Sequence, residues 1–125
     1  MMVRIIIAGS RTFADGRLMA NTLVKYMRDK DLTKDQIEIV SGGAKGADKL
    51  AEELAKNNGL RFKQFPADWD QFGKYAGPER NRRMANYAAE ETGVLLAFWD
   101  GSSRGTENMI DAAHKKGLDV RIIRF

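Results

Sequence analysis

The 125-residue sequence contains no cysteine, which excludes disulfides and thiolate metal sites and removes any hint of redox chemistry. Its apolar runs, such as IIIA after Arg4 and VLLAFW before Asp100, fall well short of the ~20 residues that span a bilayer. The opening MMVRIIIAG is too short an apolar stretch for a signal peptide, and no plausible cleavage site follows it, so a cytoplasmic location without membrane partners is expected. The single histidine, His114, falls late in a helix-like segment and is assigned no role. No metal or cofactor is expected.

What is present is ordinary in bulk. Hydrophobic residues make up 43% and charged residues 30% of the chain, the balance of a globular protein. The length suits one domain, residues 1–125, with a proper core. A formal charge of +4 suits an anionic ligand but says little by itself about nucleic acid. Organisation is clearer. Short β-branched runs, Val3–Gly9, Ile37–Gly43, Arg61–Phe65, Val94–Trp99 and Val120–Phe125, alternate with helical patterns over Asp15–Lys30, Ala47–Ala55, Glu79–Glu91 and Thr106–Lys116. Glycine followed by an apolar residue, at Gly59-Leu60, Gly93-Val94 and Gly117-Leu118, marks helix ends with left-handed caps. The pattern predicts a three-layer α/β Rossmann-like sandwich: a mostly parallel five-stranded sheet with helices on both faces.

In such a sheet ligands bind beyond the carboxyl ends of the strands. Three loops leaving those ends combine glycine, a hydroxyl and a basic residue: Gly9-Ser10-Arg11, then Ser41-Gly42-Gly43-Ala44-Lys45-Gly46, then Ser103-Arg104-Gly105-Thr106. Turns at the opposite edge are plain caps. Glycine admits a ligand close to the backbone, and a helix amino terminus offers free N–H groups. Arg11, Lys45 and Arg104 would add charged hydrogen bonds to phosphate. Neither a Walker loop nor the G-x-G-x-x-G fingerprint is present. Asp48 and Glu107 fall in first helical turns, where capping is a sufficient role, and Thr106 reads as an N-cap. Alternatively, either acid would address ribose hydroxyls or protonate a leaving base.

The long connection Pro66–Ala88 carries Arg80, Asn81, Arg82 and Arg83. Arg80 and Arg83 lie one turn apart and are expected to share the site face with Asn81 nearby, leaving Arg82 to solvent. Trp69, Phe72 and Tyr75 are candidates for stacking a base, with core packing the stronger expectation.

The segments IIIAGSRTF, VSGGAKGAD, PADWDQFGKYAGPERNRRM and FWDGSSRGTEN, in that order, resemble the SLOG superfamily, and within it the YspA/YpsA-related branch. The resemblance covers nearly the whole chain. It implies a Rossmann-like domain for nucleotides or nucleotide-derived ligands, including ADP-ribose-like molecules. Relatives include the Lonely Guy phosphoribohydrolases, which cleave the N-glycosidic bond of nucleoside monophosphates, and DNA-processing protein A, which binds single-stranded DNA. Of the hydrolase motif P-G-G-x-G-T-x-x-E, Gly105-Thr106 matches the G-T pair. Met109 stands where the glutamate belongs, the acid here is Glu107, and the P-G-G is absent. Arg83 is the counterpart of the hydrolases' upstream arginine. The leading expectation is therefore a nucleotide-binding sensor or sequestering domain. An N-glycosidase using Glu107 and Arg83 is the alternative, single-strand nucleic-acid binding ranks third, and self-association is left open.

Overall fold

The computed structural model describes residues 2–125. Five strands form one sheet: β1 (Val3–Gly9), β2 (Ile37–Ser41), β3 (Arg61–Gln64), β4 (Thr92–Trp99) and β5 (Asp119–Arg124), in the order β3-β2-β1-β4-β5. All four pairings are parallel, which completes the expected "mostly parallel" sheet. Between the strands run α1 (Gly16–Asp29), α2 (Ala47–Asn57), the short α3 (Trp69–Phe72), α4 (Ala76–Ala89) and α5 (Arg104–Lys115).

Side chains on a strand alternate faces, and here both faces are apolar. Ile5 and Ile7 of β1 join Val94, Leu96 and Phe98 of β4 in a core with Met19 and Leu23 of α1 and Ala47, Ala51 and Ala55 of α2. The intervening Ile6, Ala8, Leu95 and Ala97 belong to a second core, with Met84, Ala85 and Ala88 of α4 and Met109, Ile110 and Ala113 of α5. The small residues on α2 and α4 let those helices lie close on the central strands. Ile5, Ile6 and Ile7 are wholly inaccessible, and burying each contributes about 1.5–3 kcal/mol.

Two of the glycine caps form as expected. Leu60 and Leu118 donate their N–H groups to Ala55 and Ala113 (2.9 and 3.0 Å) across Gly59 and Gly117, both at positive φ, the double-turn closure of a helix C-terminus. Gly93 is different. It lies inside β4, where a Cβ would stand 2.9 Å from the Ala88 carbonyl oxygen and collide with Leu118. Close packing, not a left-handed cap, requires that glycine. The Pro66–Ala88 connection also holds more order than expected: α3 and a 3-10 turn at Gly73–Tyr75 precede α4, which begins at Ala76 rather than Glu79. Pro78 falls in its first turn, where no N–H is needed.

Candidate functional site

Chain order turns back between the neighbouring strands β1 and β4. Beyond their carboxyl ends opens a cleft of about 530 Å³, floored by Ala8, Met84 and Met109. Gly9, Ser10, Arg11, Ala44, Asp48, Arg80, Asn81, Ser103, Arg104, Gly105 and Thr106 line it. A second lobe of about 390 Å³ adjoins it over the ends of β2 and β3 and takes in Gly42, Gly43 and Lys45. Arg11, Ala44, Trp69 and Arg80 belong to both lobes.

The β1 loop is a junction. A Cβ at Gly9 would strike the Phe98 carbonyl oxygen and lie 2.8 Å from the Ala47 side chain, so only glycine lets β1 pass between β4 and α2. Ser10 is buried. Its N–H donates to the Phe98 carbonyl (3.0 Å), its carbonyl accepts from Phe13 (3.1 Å) and Ala47 (3.5 Å), and its Oγ accepts the Asp100 N–H (3.2 Å). Ser10 thus lines the cleft while its polar atoms brace it. Arg11, one residue on, is exposed.

In the β2 loop, Gly43 and Gly46 adopt positive φ (74° and 78°). A Cβ at Gly46 would lie 2.5 Å from the Ser10 and Arg11 carbonyl oxygens, so that residue seats the loop on the β1 turn and lines neither lobe. Asp48 accepts the Ala44 N–H at Oδ2 (3.1 Å). Burial raises its carboxyl to about 6, against the pull of that N–H and of the Arg80 guanidinium, and the neighbouring Glu52 carboxylate adds to the rise. Glu52, buried one turn further along α2, accepts from Ser41 Oγ (3.2 Å) and Gln64 Nε2 (2.9 Å).

Arg80 ties the walls together. Its Nη1 donates to the Gly42 carbonyl (2.5 Å) and its Nε to Asn81 Oδ1 (3.0 Å). Burial pulls its pKa down from the ordinary arginine value, with Asp48 opposing. Asn81 in turn donates to the Gly105 carbonyl (3.3 Å) and Asn108 Oδ1 (3.0 Å). The pair links the β2 loop, α4 and the start of α5.

The last wall is the β4 loop. Asp100 Oδ1 accepts the N–H groups of Ser102 (2.9 Å) and Ser103 (2.8 Å), which hold its carboxyl below the usual range. Helix α5 starts at Arg104, so Ser103 occupies the N-cap position and Thr106 lies inside the first turn, not at the cap. Ser103 makes no capping bond to a helix N–H; its hydroxyl lies 3.2 Å from Thr106 Oγ1.

Besides Gly46, two sequence candidates do not reach the cleft. Glu107 is exposed on α5 and lines neither lobe. Arg83 lies against Glu79 (3.4 Å) with its guanidinium 5.5 Å from the Phe65 ring, also outside both lobes. One-turn spacing places Arg83 beside Arg80 along α4, but its contacts with Glu79 and the Phe65 ring keep it outside the cavity. Arg82 is solvated as expected, beside Glu79. Core packing is overturned for two aromatics: Trp69 and Tyr75 are 55% and 64% exposed. Sequence reading missed Asp100 and the Ser41–Glu52–Gln64 network. The signals were an Asp-Gly followed by two serines, which suits an Asx turn, and the i, i+4 spacing of Asp48 and Glu52.

Among the described residues no three His, Cys, Asp or Glu side chains gather as a metal site, and no helix is long and apolar enough to cross a membrane.

Comparison with known proteins agrees with the fold. The Gene 61 protein of Mycobacterium phage D29 is 34% identical over 126 residues, covering 95% of this chain and 94% of that one. The X-ray structure of DNA processing protein A from Streptococcus pneumoniae matches with a TM-score of 0.74 at 20% identity, over 99% of this chain and 51% of that one. That likeness shows a shared fold, and the chain spans about half that protein's length. The family model described as YspA, cpYpsA-related SLOG matches residues 3–72. With more than half its length under that model and a full-length relative beside it, the chain belongs to the YspA, cpYpsA-related SLOG family.

Proposed function

We propose that the cleft binds a nucleotide or nucleotide-derived ligand through its phosphate, as a sensor or sequestering domain. One observation carries the reading: the first turn of α5, through Arg104, Gly105 and Thr106, lines the cleft, and no side chain caps it. By contrast, Asp15 caps α1 by accepting the Leu18 N–H at 2.9 Å. A helix amino terminus left open beside a cavity is a ready anion site. Its surroundings agree. Arg11, Lys45 and Arg104 are exposed at the rim, and among the described residues none of the three has a carboxylate within ion-pair distance. Membership of a SLOG family favours nucleotide chemistry over other anions. Glycosidic cleavage is not part of the reading, because Glu107 faces solvent.

The test is calorimetric titration with the four nucleoside 5′-monophosphates and ADP-ribose. Arg11→Ala and Arg104→Ala should each weaken binding by ~1.5–3 kcal/mol, the range for charged hydrogen bonds, with little change in stability. Unchanged affinity in both variants removes the phosphate site. Native mass spectrometry of freshly purified protein should also reveal a co-purified nucleotide.

A further inference from the structure

We propose that Trp69, at the junction of the two lobes, is the platform on which the ligand's base stacks while its phosphate sits at the start of α5. The proposal rests on the nucleotide reading above. Large apolar side chains normally leave water on folding, yet Trp69 keeps 55% of its surface exposed. It does so at one place in the molecule, the junction where both lobes meet. Tyr75 is more exposed still and lines neither lobe, so aromatic exposure alone does not select the cleft.

The backbone that carries the indole is anchored. Trp69 opens α3, which Asp68 caps by accepting the Gln71 N–H (3.0 Å). Its ring tip, Cη2, lies 3.8 Å from where a Cβ would stand at Gly77, which places the ring beside the first turn of α4. Among the described residues no other ring or cation stacks on it.

Both lobes combine apolar surface with polar groups, as a nucleotide does. The second lobe is mixed: Pro66, Ala67 and Ala44 stand beside the Gln64 amide and the cations Arg11, Lys45 and Arg80. That amide is oriented by its bond to the buried Glu52 carboxylate, so its carbonyl is directed away from Glu52. Trp69 also lines the first lobe, whose floor of Ala8, Met84 and Met109 is apolar; an aromatic wall and an apolar floor suit a flat heterocycle. The first lobe offers the open α5 terminus and Arg104, which suit phosphate. Arg11 and Arg80 line both lobes.

The experiment compares each nucleotide (the four 5′-monophosphates and ADP-ribose) with ribose 5-phosphate, which lacks a base, on the wild type, Trp69→Ala and Trp69→Phe. Circular dichroism confirms folding. At least one nucleotide should bind the wild type more tightly than ribose 5-phosphate, and Trp69→Ala should cut that affinity by roughly 10-fold or more, as loss of a base–aromatic stack does. Ribose 5-phosphate affinity should stay within about twofold, and Trp69→Phe should keep most of the nucleotide affinity. Nucleotide affinity unmoved by Trp69→Ala, or an equal loss for both probes, overturns the stacking role and leaves the phosphate site standing. If no probe binds the wild type, the nucleotide reading itself fails and the platform with it.

Discussion

Asp48 lies beneath the β2 loop with a carboxyl that burial lifts from 3.8 to about 6. The folded protein therefore holds this proton more tightly than the unfolded chain does. Stability from this group is complete below 3.8 and is lost as pH rises through about 6, with a ceiling of ~3 kcal/mol. Asp100 and Asp119 run the other way. Their carboxyls are held low by hydrogen bonds, from Ser102 and Ser103 in one case and from Arg121 in the other. Their contributions fade only as pH falls below 3.8, so the window above it isolates Asp48. Denaturant midpoints of wild type and Asp48→Asn, measured from about pH 4 to pH 7, should diverge with the wild type losing ground as pH rises. Parallel curves would show that Asp48 is not desolvated. Gly42 poses a steric question at the same spot. A Cβ there would lie 2.7 Å from Arg80 Cζ and 2.9 Å from Asp48 Oδ2. Gly42→Ala should cost ~1–3 kcal/mol, the usual price of overpacking, in a chemical denaturation curve.

At the level of the element, the start of α5 trades stability against ligand. An N-cap carboxylate would satisfy free N–H groups and complement the helix dipole, but it would also fill the anion site. Ser103→Asp should therefore raise stability by up to ~1 kcal/mol while nucleotide affinity falls at least tenfold by calorimetry. A rise in both would mean that the helix terminus is not where the phosphate goes. Glu107, on the exposed side of the same turn, supplies the opposite control. Glu107→Gln should leave nucleotide affinity unchanged and lower stability by less than ~1 kcal/mol, the worth of a carboxylate near a helix amino terminus. Release of free base by the wild type, abolished in this variant, would restore the glycosidase alternative.

For the whole molecule, the cleft follows from strand order. Only where β1 and β4 lie side by side do consecutive connections leave to opposite sides, and the gap between them becomes the cavity. A ligand seated in that cleft meets at most the four cations Arg11, Lys45, Arg80 and Arg104. Its affinity should fall shallowly with salt, whereas a polymer touching many phosphates falls steeply. Titrations from 50 to 300 mM salt should give a slope of about one or two ions for a nucleotide and only weak binding to oligonucleotides. Tight, length-dependent binding of single strands would shift the reading to nucleic acid, whatever the formal charge of +4.

The strands, the layers and the edge that carries the site were legible in the sequence because they rest on local physics. Alternation of apolar side chains sets which face of β1 and β4 each residue joins, and glycine after a helix sets how it stops. Glycine, hydroxyl and basic residues recur only in the loops at one edge. Direction and burial were not legible. Arg80 and Arg83 share a helical spacing, yet only Arg80 lines the cleft, because the outcome depends on where α4 lies against Phe65 and the β2 loop. Glu107 directly follows the Gly-Thr pair but faces water, since a step of one residue turns a helix by roughly 100°. Trp69 looked like core and is a rim, and Asp48 looked like a simple cap and is a desolvated acid. Each depends on neighbours distant in sequence, and only the packed chain brings those neighbours into place.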